Sequence, residues 1–169
     1  MLCYHDNILW GLLMKEDSLV DINKTDKCPC CSGKSYGECC RKFVVGKSLP
    51  KIPLELMRSR YTAYVLKDIN YIEKTASGKA LETMDKQATV RDRFDCCEWT
   101  KLEIIDVSEV TSNSITGIVE FKAHYSQNGI TACILHERSK FQRIDSKWFY
   151  ISGVQKNTHI EKQENTDYL

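Results

Sequence analysis

Apolar positions divide the chain into two parts with different periods. Between Pro53 and Ile69 they recur every three or four residues, at Leu54, Leu56, Met57, Tyr61, Tyr64, Val65 and Ile69, the spacing of a helix with one broad face turned to a core. Asp68 stands where its side chain would cap a second helix containing Tyr71 and Ile72. The mixed, polar stretch 78–93 reads as a further helix with Leu81, Met84 and Val90 facing inward. From Trp99 onward the period becomes two. Leu102, Ile104, Ile105, Val107 and Val110 predict a first strand. Ile115, Gly117, Val119, Phe121, Ala123 and Tyr125 alternate with Glu120, Lys122 and His124 in a second. Asn128-Gly129 is a hairpin signature, Ile130–Ile144 a long third strand, Asp145-Ser146-Lys147 a turn and Trp148–Ile151 a final strand. Helices followed by a meandering antiparallel sheet give an α+β domain over 54–153.

The flanks read differently. Residues 1–26 form an extension in which Trp10, Leu13 and Met14 would dock on the body as part of a helical turn, and 154–169 is a polar, frayed tail. Residues 44–53 hold two of the three prolines and one glycine, a linker composition. With 169 residues, 42% of them hydrophobic, the chain suits one soluble domain plus a small appendage. Lys and Arg total 24 against 23 Asp and Glu. That balance excludes a charge-driven affinity of the whole chain for nucleic acid or anionic membrane, but leaves room for a local basic patch. The apolar run Ile8–Met14 is too short to span a bilayer, and acidic Asp6 precedes it where a secretory leader would be basic.

Nine cysteines change the picture. Cys28, Cys30, Cys39 and Cys40 form a close pair, a loop with glycines at 33 and 37, and an adjacent pair. This is a natural way to build the four-thiolate tetrahedron that zinc prefers. So small a unit has no hydrophobic core of its own, so metal binding and local folding would be one event. A disulfide pair or a merely cysteine-rich loop are the alternatives. A metal-ligand pattern, with no leader, points to a reducing cytoplasm.

The run Cys28-Pro29-Cys30-Cys31-Ser32-Gly33-Lys34-Ser35-Tyr36-Gly37-Glu38-Cys39-Cys40 resembles the SEC-C motif known from the tail of the translocase ATPase SecA. Together with Met57-Arg58-Ser59-Arg60-Tyr61, His136-Glu137-Arg138-Ser139 and Trp148–Gly153, it makes residues 27–153 similar to the YchJ family. The resemblance implies a SEC-C knuckle over 27–43, followed by a cone-shaped domain of the nuclear-transport-factor-2 (NTF2)-like kind. It also implies Cys28, Cys30, Cys39 and Cys40 as the metal ligands. Four protein ligands close the tetrahedron, so the zinc would be structural. The family pattern usually has glycine where this chain has Cys31, which adds a fifth thiol beside the site. Many members carry a second knuckle at the C-terminus, where this chain has no cysteine. By analogy with SecA, whose knuckle is associated with the chaperone SecB, the membrane and the ribosome, the knuckle would be a protein-interaction module. Cone domains of this kind also commonly dimerise through the sheet.

One further constellation stands out. In a strand, His136 and Arg138 share one face while Glu137 lies on the other with Cys133, Leu135 and Phe141. A carboxylate on that apolar side needs a partner or a raised pKa, and Arg58 or Arg60 from the helix is the candidate. The plain reading is a buried pair fixing helix to sheet. The functional reading is a polar cluster in the cone's pocket, which would make the protein a small-molecule binder or an enzyme. No nucleophile elbow, phosphate loop or His-Glu-x-x-His site supports catalysis. The leading expectation is therefore a zinc-binding accessory protein acting through its knuckle.

Overall fold

The computed structural model describes residues 22–156. The docking turn around Trp10, most of the N-terminal extension and residues 157–169 lie outside them. The architecture is the α+β arrangement the periodicity predicts. Short α1 (Arg41–Val44) is followed by α2 (Pro53–Val65), α3 (Ile69–Lys74), α4 (Lys79–Glu82) and α5 (Lys86–Thr89). A π-helical turn, Val90–Asp95, leads into β1 (Cys97–Val107), β2 (Thr116–Gln127), β3 (Thr131–Ile144) and β4 (Lys147–Lys156). The four strands form one antiparallel meander in sequence order. No helix among the described residues is long and apolar enough to cross a membrane.

Helix α2 organises the molecule. Pro53 begins it, where a missing N–H costs nothing, and Leu56, Met57, Tyr61 and Ala63 bury its apolar side. Each large side chain fully buried here contributes about 1.5–3 kcal/mol. The Asp68 carboxylate accepts from Tyr71 N–H at 2.9 Å and caps α3, as its position suggests. The end of α3 is tied to the sheet: Tyr150 N–H donates to Thr75 O and Ser77 N–H to Tyr150 O. A bulge in β4 between Tyr150 and Ser152 turns the strand toward this contact.

Two expectations are corrected. Residues 78–93 do not form one helix: the segment breaks into α4, α5 and the π-turn, Leu81 and Val90 are exposed, and only Met84 packs on the core. The residue that anchors this region is Phe94, buried against Tyr64 with ring centres 6.0 Å apart. The first strand begins earlier than predicted and ends at Val107, with register breaks at Thr100 and Ile105. Each extra residue reverses the inward phase, so the core-facing positions step by three across it, from Trp99 to Leu102 and from Ile104 to Val107, and Ile105 is exposed. The final strand runs on to Lys156, well past Ile151.

Candidate functional site

The knuckle is a tight reversal. Lys27 pairs with Ser35, and Cys28 N–H donates to Lys34 O at 2.9 Å. The turn between them passes through left-handed backbone at Cys31 (φ 57°) and Gly33 (φ 82°). The first of these is the position where the SEC-C pattern usually has glycine, because only glycine enters that conformation without steric cost. Cys40 then caps α1. The four sulfurs of Cys28, Cys30, Cys39 and Cys40 lie within 4.8 Å of one another. Cys30 and Cys39 are 3.6 Å apart and Cys39 and Cys40 3.8 Å, distances that exclude disulfides. Four sulfurs about 2.3 Å from a zinc ion stand about 3.8 Å apart along a tetrahedron's edges, so donor type and spacing both fit the metal. The Cys30 and Cys40 sulfhydryls lower the pKa of Cys28, while the same contacts with Cys28 and Cys30, and burial, raise that of Cys40. Hydroxyls support the sulfurs from outside: Ser32 Oγ lies 3.2 Å from Cys39 Sγ and Thr62 Oγ1 3.8 Å from Cys28 Sγ. Cys31 stays out of the cluster, its sulfur accepting from Leu102 N–H at 3.5 Å.

The knuckle is not a free appendage. Arg58 Nη1 donates to Cys30 O at 2.6 Å. Cys28, Cys30, Tyr36, Cys40 and Phe43 belong to the same buried cluster as Leu56, Met57, Tyr61 and Tyr71. Cysteine cluster and domain therefore share one core.

The five polar residues singled out for a pocket separate. Arg58 serves the knuckle. Arg60 and Glu137 face a cavity of about 140 Å³ between α2 and the sheet, with Tyr64, Trp99 and Leu135 among its walls. His136 and Arg138 lie on the opposite face of the sheet. The anticipated pairing of Glu137 with Arg58 or Arg60 is not formed. Glu137 Oε1 instead accepts from Ser139 Oγ at 2.6 Å and Tyr150 OH at 3.1 Å. Gly153 makes room for it, since a Cβ there would collide with the carboxylate and the Tyr150 hydroxyl. Arg60, only 6% exposed, donates through Nη1 to Ile72 O (2.7 Å) and Thr75 Oγ1 (2.6 Å) and stacks 4.7 Å from the centre of the Tyr150 ring. Burial lowers its pKa, and the guanidinium remains charged.

On the outer face the structure assembles a group not anticipated from the sequence. Glu120, 6% exposed, accepts from Lys156 Nζ (2.7 Å), His136 Nε2 (2.8 Å) and Arg138 Nη1 (3.2 Å). Arg138 also reaches Asp106. Lys156 first, then His136 and Arg138, depress the Glu120 carboxyl to about 2. The hairpin contains the signal that locates this cluster. Gln127 opposite Thr131 at the Asn128-Gly129 turn places Glu120 opposite Arg138 when counted along both strands.

Fold and site thus define a four-cysteine knuckle packed on a helix-and-sheet domain. Residues 52–153 match the family model described as the YchJ middle NTF2-like domain. The chain belongs to the YchJ (UPF0225) family. It is 36% identical over 129 residues to a UPF0225 protein of Geobacter sulfurreducens, covering 76% of this chain and 79% of that one. It is 37% identical over 127 residues to one from Haemophilus influenzae, covering 75% and 76%. The solution structure of a SEC-C motif-containing protein from Rhodopseudomonas palustris superposes with a TM-score of 0.67 at 31% identity, over 77% of this chain and 98% of that one. The crystal structure of a SEC-C motif-containing protein from Psychrobacter arcticus has the same fold, with a TM-score of 0.66 at 24% identity over 79% and 85%.

Proposed function

We propose that Cys28, Cys30, Cys39 and Cys40 hold one structural zinc ion, and that the knuckle is a rigid mount for a surface that docks an acidic segment of a partner protein. Four protein thiolates leave no coordination position for water, so the metal folds the knuckle and performs no chemistry. The observation that carries the docking reading is local charge. No Asp or Glu occurs between Glu38 and Glu55, while Arg41, Lys42, Lys47 and Lys51 do, in a chain of net charge +1. Between these cations Val45, Leu49 and Ile52 are exposed, Leu49 by 56%. Beside them a groove of about 320 Å³ is walled by Leu49, Pro50, Trp148 and Phe149, with Lys74 and Lys147 contributing. Apolar side chains among uncompensated cations suit an acidic, partly apolar peptide.

Two measurements test the two halves. Metal analysis of protein purified without chelator should give one zinc per chain, lost in Cys39→Ser; metal-free protein of normal fold would sink the metal assignment. In affinity capture, the triple variant Lys42→Glu, Lys47→Glu, Lys51→Glu should lose partners that wild type and the outer-face control Lys122→Glu, Lys140→Glu retain. Equal recovery by all three would dispose of the docking surface.

A further inference from the structure

We propose that the cavity between α2 and the sheet binds a small organic acid carrying one negative charge and an apolar body about the size of a single aromatic ring. This site is separate from the knuckle surface. Size comes first: about 140 Å³ is close to the volume at which an engineered apolar protein cavity holds benzene. The walls suit a flat apolar body, since Trp99 and Tyr64 stand 5.6 Å apart by ring centres and Leu135 lies on the sheet side.

Charge selects the acid. Arg60 and Arg93 both line the cavity against one carboxylate, Glu137. Neither arginine forms an ion pair among the described residues, so one positive charge is left uncompensated. Arg60 is the more telling of the two. Its hydrogen bonds to the chain all leave from Nη1, and a guanidinium has five N–H donors. Keeping an unpaired cation in an apolar interior is costly, a cost that an anion reaching it would offset. A cationic ligand, which the aromatic walls alone would admit, meets two guanidinium groups. Glu137 spends both of its hydrogen bonds on Oε1, which leaves Oε2 for a donor on the ligand.

The test uses the full chain in its folded, zinc-loaded form and three probes of one shape: benzoate, benzyl alcohol and benzylamine. The indole N–H signals report the location. Trp99 Nε1–H donates to Arg93 O at 3.2 Å in the cavity wall, whereas Trp148 Nε1–H donates to Lys51 O at 2.9 Å outside it and serves as the internal control. Benzoate should shift the Trp99 signal saturably and leave Trp148 in place. Benzyl alcohol should bind about tenfold more weakly, the loss of one charge-assisted contact, and benzylamine should not bind. Arg93→Gln should weaken benzoate. Glu137→Gln should tighten it by roughly threefold or more by removing the opposing charge; a merely structural role for Glu137 predicts no tightening. The proposal is overturned if benzylamine binds as well as benzoate, if Glu137→Gln weakens benzoate, or if no probe moves Trp99 in protein whose Trp148 signal is that of the folded state.

Discussion

On the knuckle side of α2, Arg58 donates to Cys30 O and Thr62 touches the Cys28 sulfur. On the sheet side, two residues along, Arg60 has no carboxylate partner among the described residues. The same division separates the two glutamates of the sheet. Glu120, outside, has Lys156, Arg138 and the His136 ring; Glu137, inside, has only the hydroxyls of Ser139 and Tyr150. Groups that are fully partnered rigidify a structure, while incompletely partnered polar groups at a cavity mark a place where something else can bind. The cysteine end of the molecule is built for rigidity, and the cavity is where it retains unspent polar capacity.

The strongest way to break this contrast is to remove the metal. If the knuckle were a tethered module, chelation would unfold it alone. Because Cys28, Cys30 and Cys40 are buried in one cluster with Leu56 and Tyr71, metal loss should destabilise α2 and the sheet as well. Cys40→Ser, or chelation of wild type, should lower the stability of the whole domain by about 3 kcal/mol or more, seen as one shifted transition by far-UV circular dichroism and Trp fluorescence together. Two separate transitions, with the second at the holo midpoint, would show the halves to be independent.

A smaller effect sharpens the comparison of the two glutamates. The folded-state pKa of Glu120 lies near 2 against an ordinary 4.5. A carboxylate depressed in the folded state contributes stability that is complete above its unfolded pKa and lost as pH falls toward the folded one. The stability gap between wild type and Glu120→Gln should therefore be full at pH 6 and close between about pH 4.5 and pH 2. Melting temperatures measured across that window check it; a gap that stays constant to pH 2 would mean that Lys156, His136 and Arg138 do nothing for the carboxylate.

Much of this arrangement could be read from the chain, and the failures have physical causes. The second strand was legible because Val119, Phe121 and Ala123 alternate without interruption, and the Asp68 cap because it depends on neighbours in sequence. The cysteine cluster was legible because its members sit in two short-range pairs. The first strand was legible as a strand but its facing was not, because bulges at Thr100 and Ile105 leave no local signature. Glu120 looked like one more polar residue on a solvent face. Its partners come from β3 and from Lys156 of β4, and Lys156 was assigned to the tail. Arg58 and Arg60 looked interchangeable in sequence, yet two residues on a helix are about 200° apart, so only one of them could face the sheet.

The smallest expected effect is also the most direct comparison, because it applies one substitution to two tyrosines of nearly equal burial. Tyr71 is 1% exposed and Tyr61 2%. Tyr71 OH donates to Ser59 Oγ at 2.8 Å, whereas the Tyr61 hydroxyl has no partner among the described residues. Both rings remain in place when tyrosine becomes phenylalanine, so the difference isolates the hydroxyl. Tyr71→Phe removes a satisfied bond and should cost about 1 kcal/mol. Tyr61→Phe removes a buried hydroxyl that returns nothing, so stability should be unchanged or rise by a few tenths of a kcal/mol. Denaturant midpoints at a common m-value measure both. An equal loss in the two variants would mean that the Tyr61 hydroxyl is as firmly held as that of Tyr71.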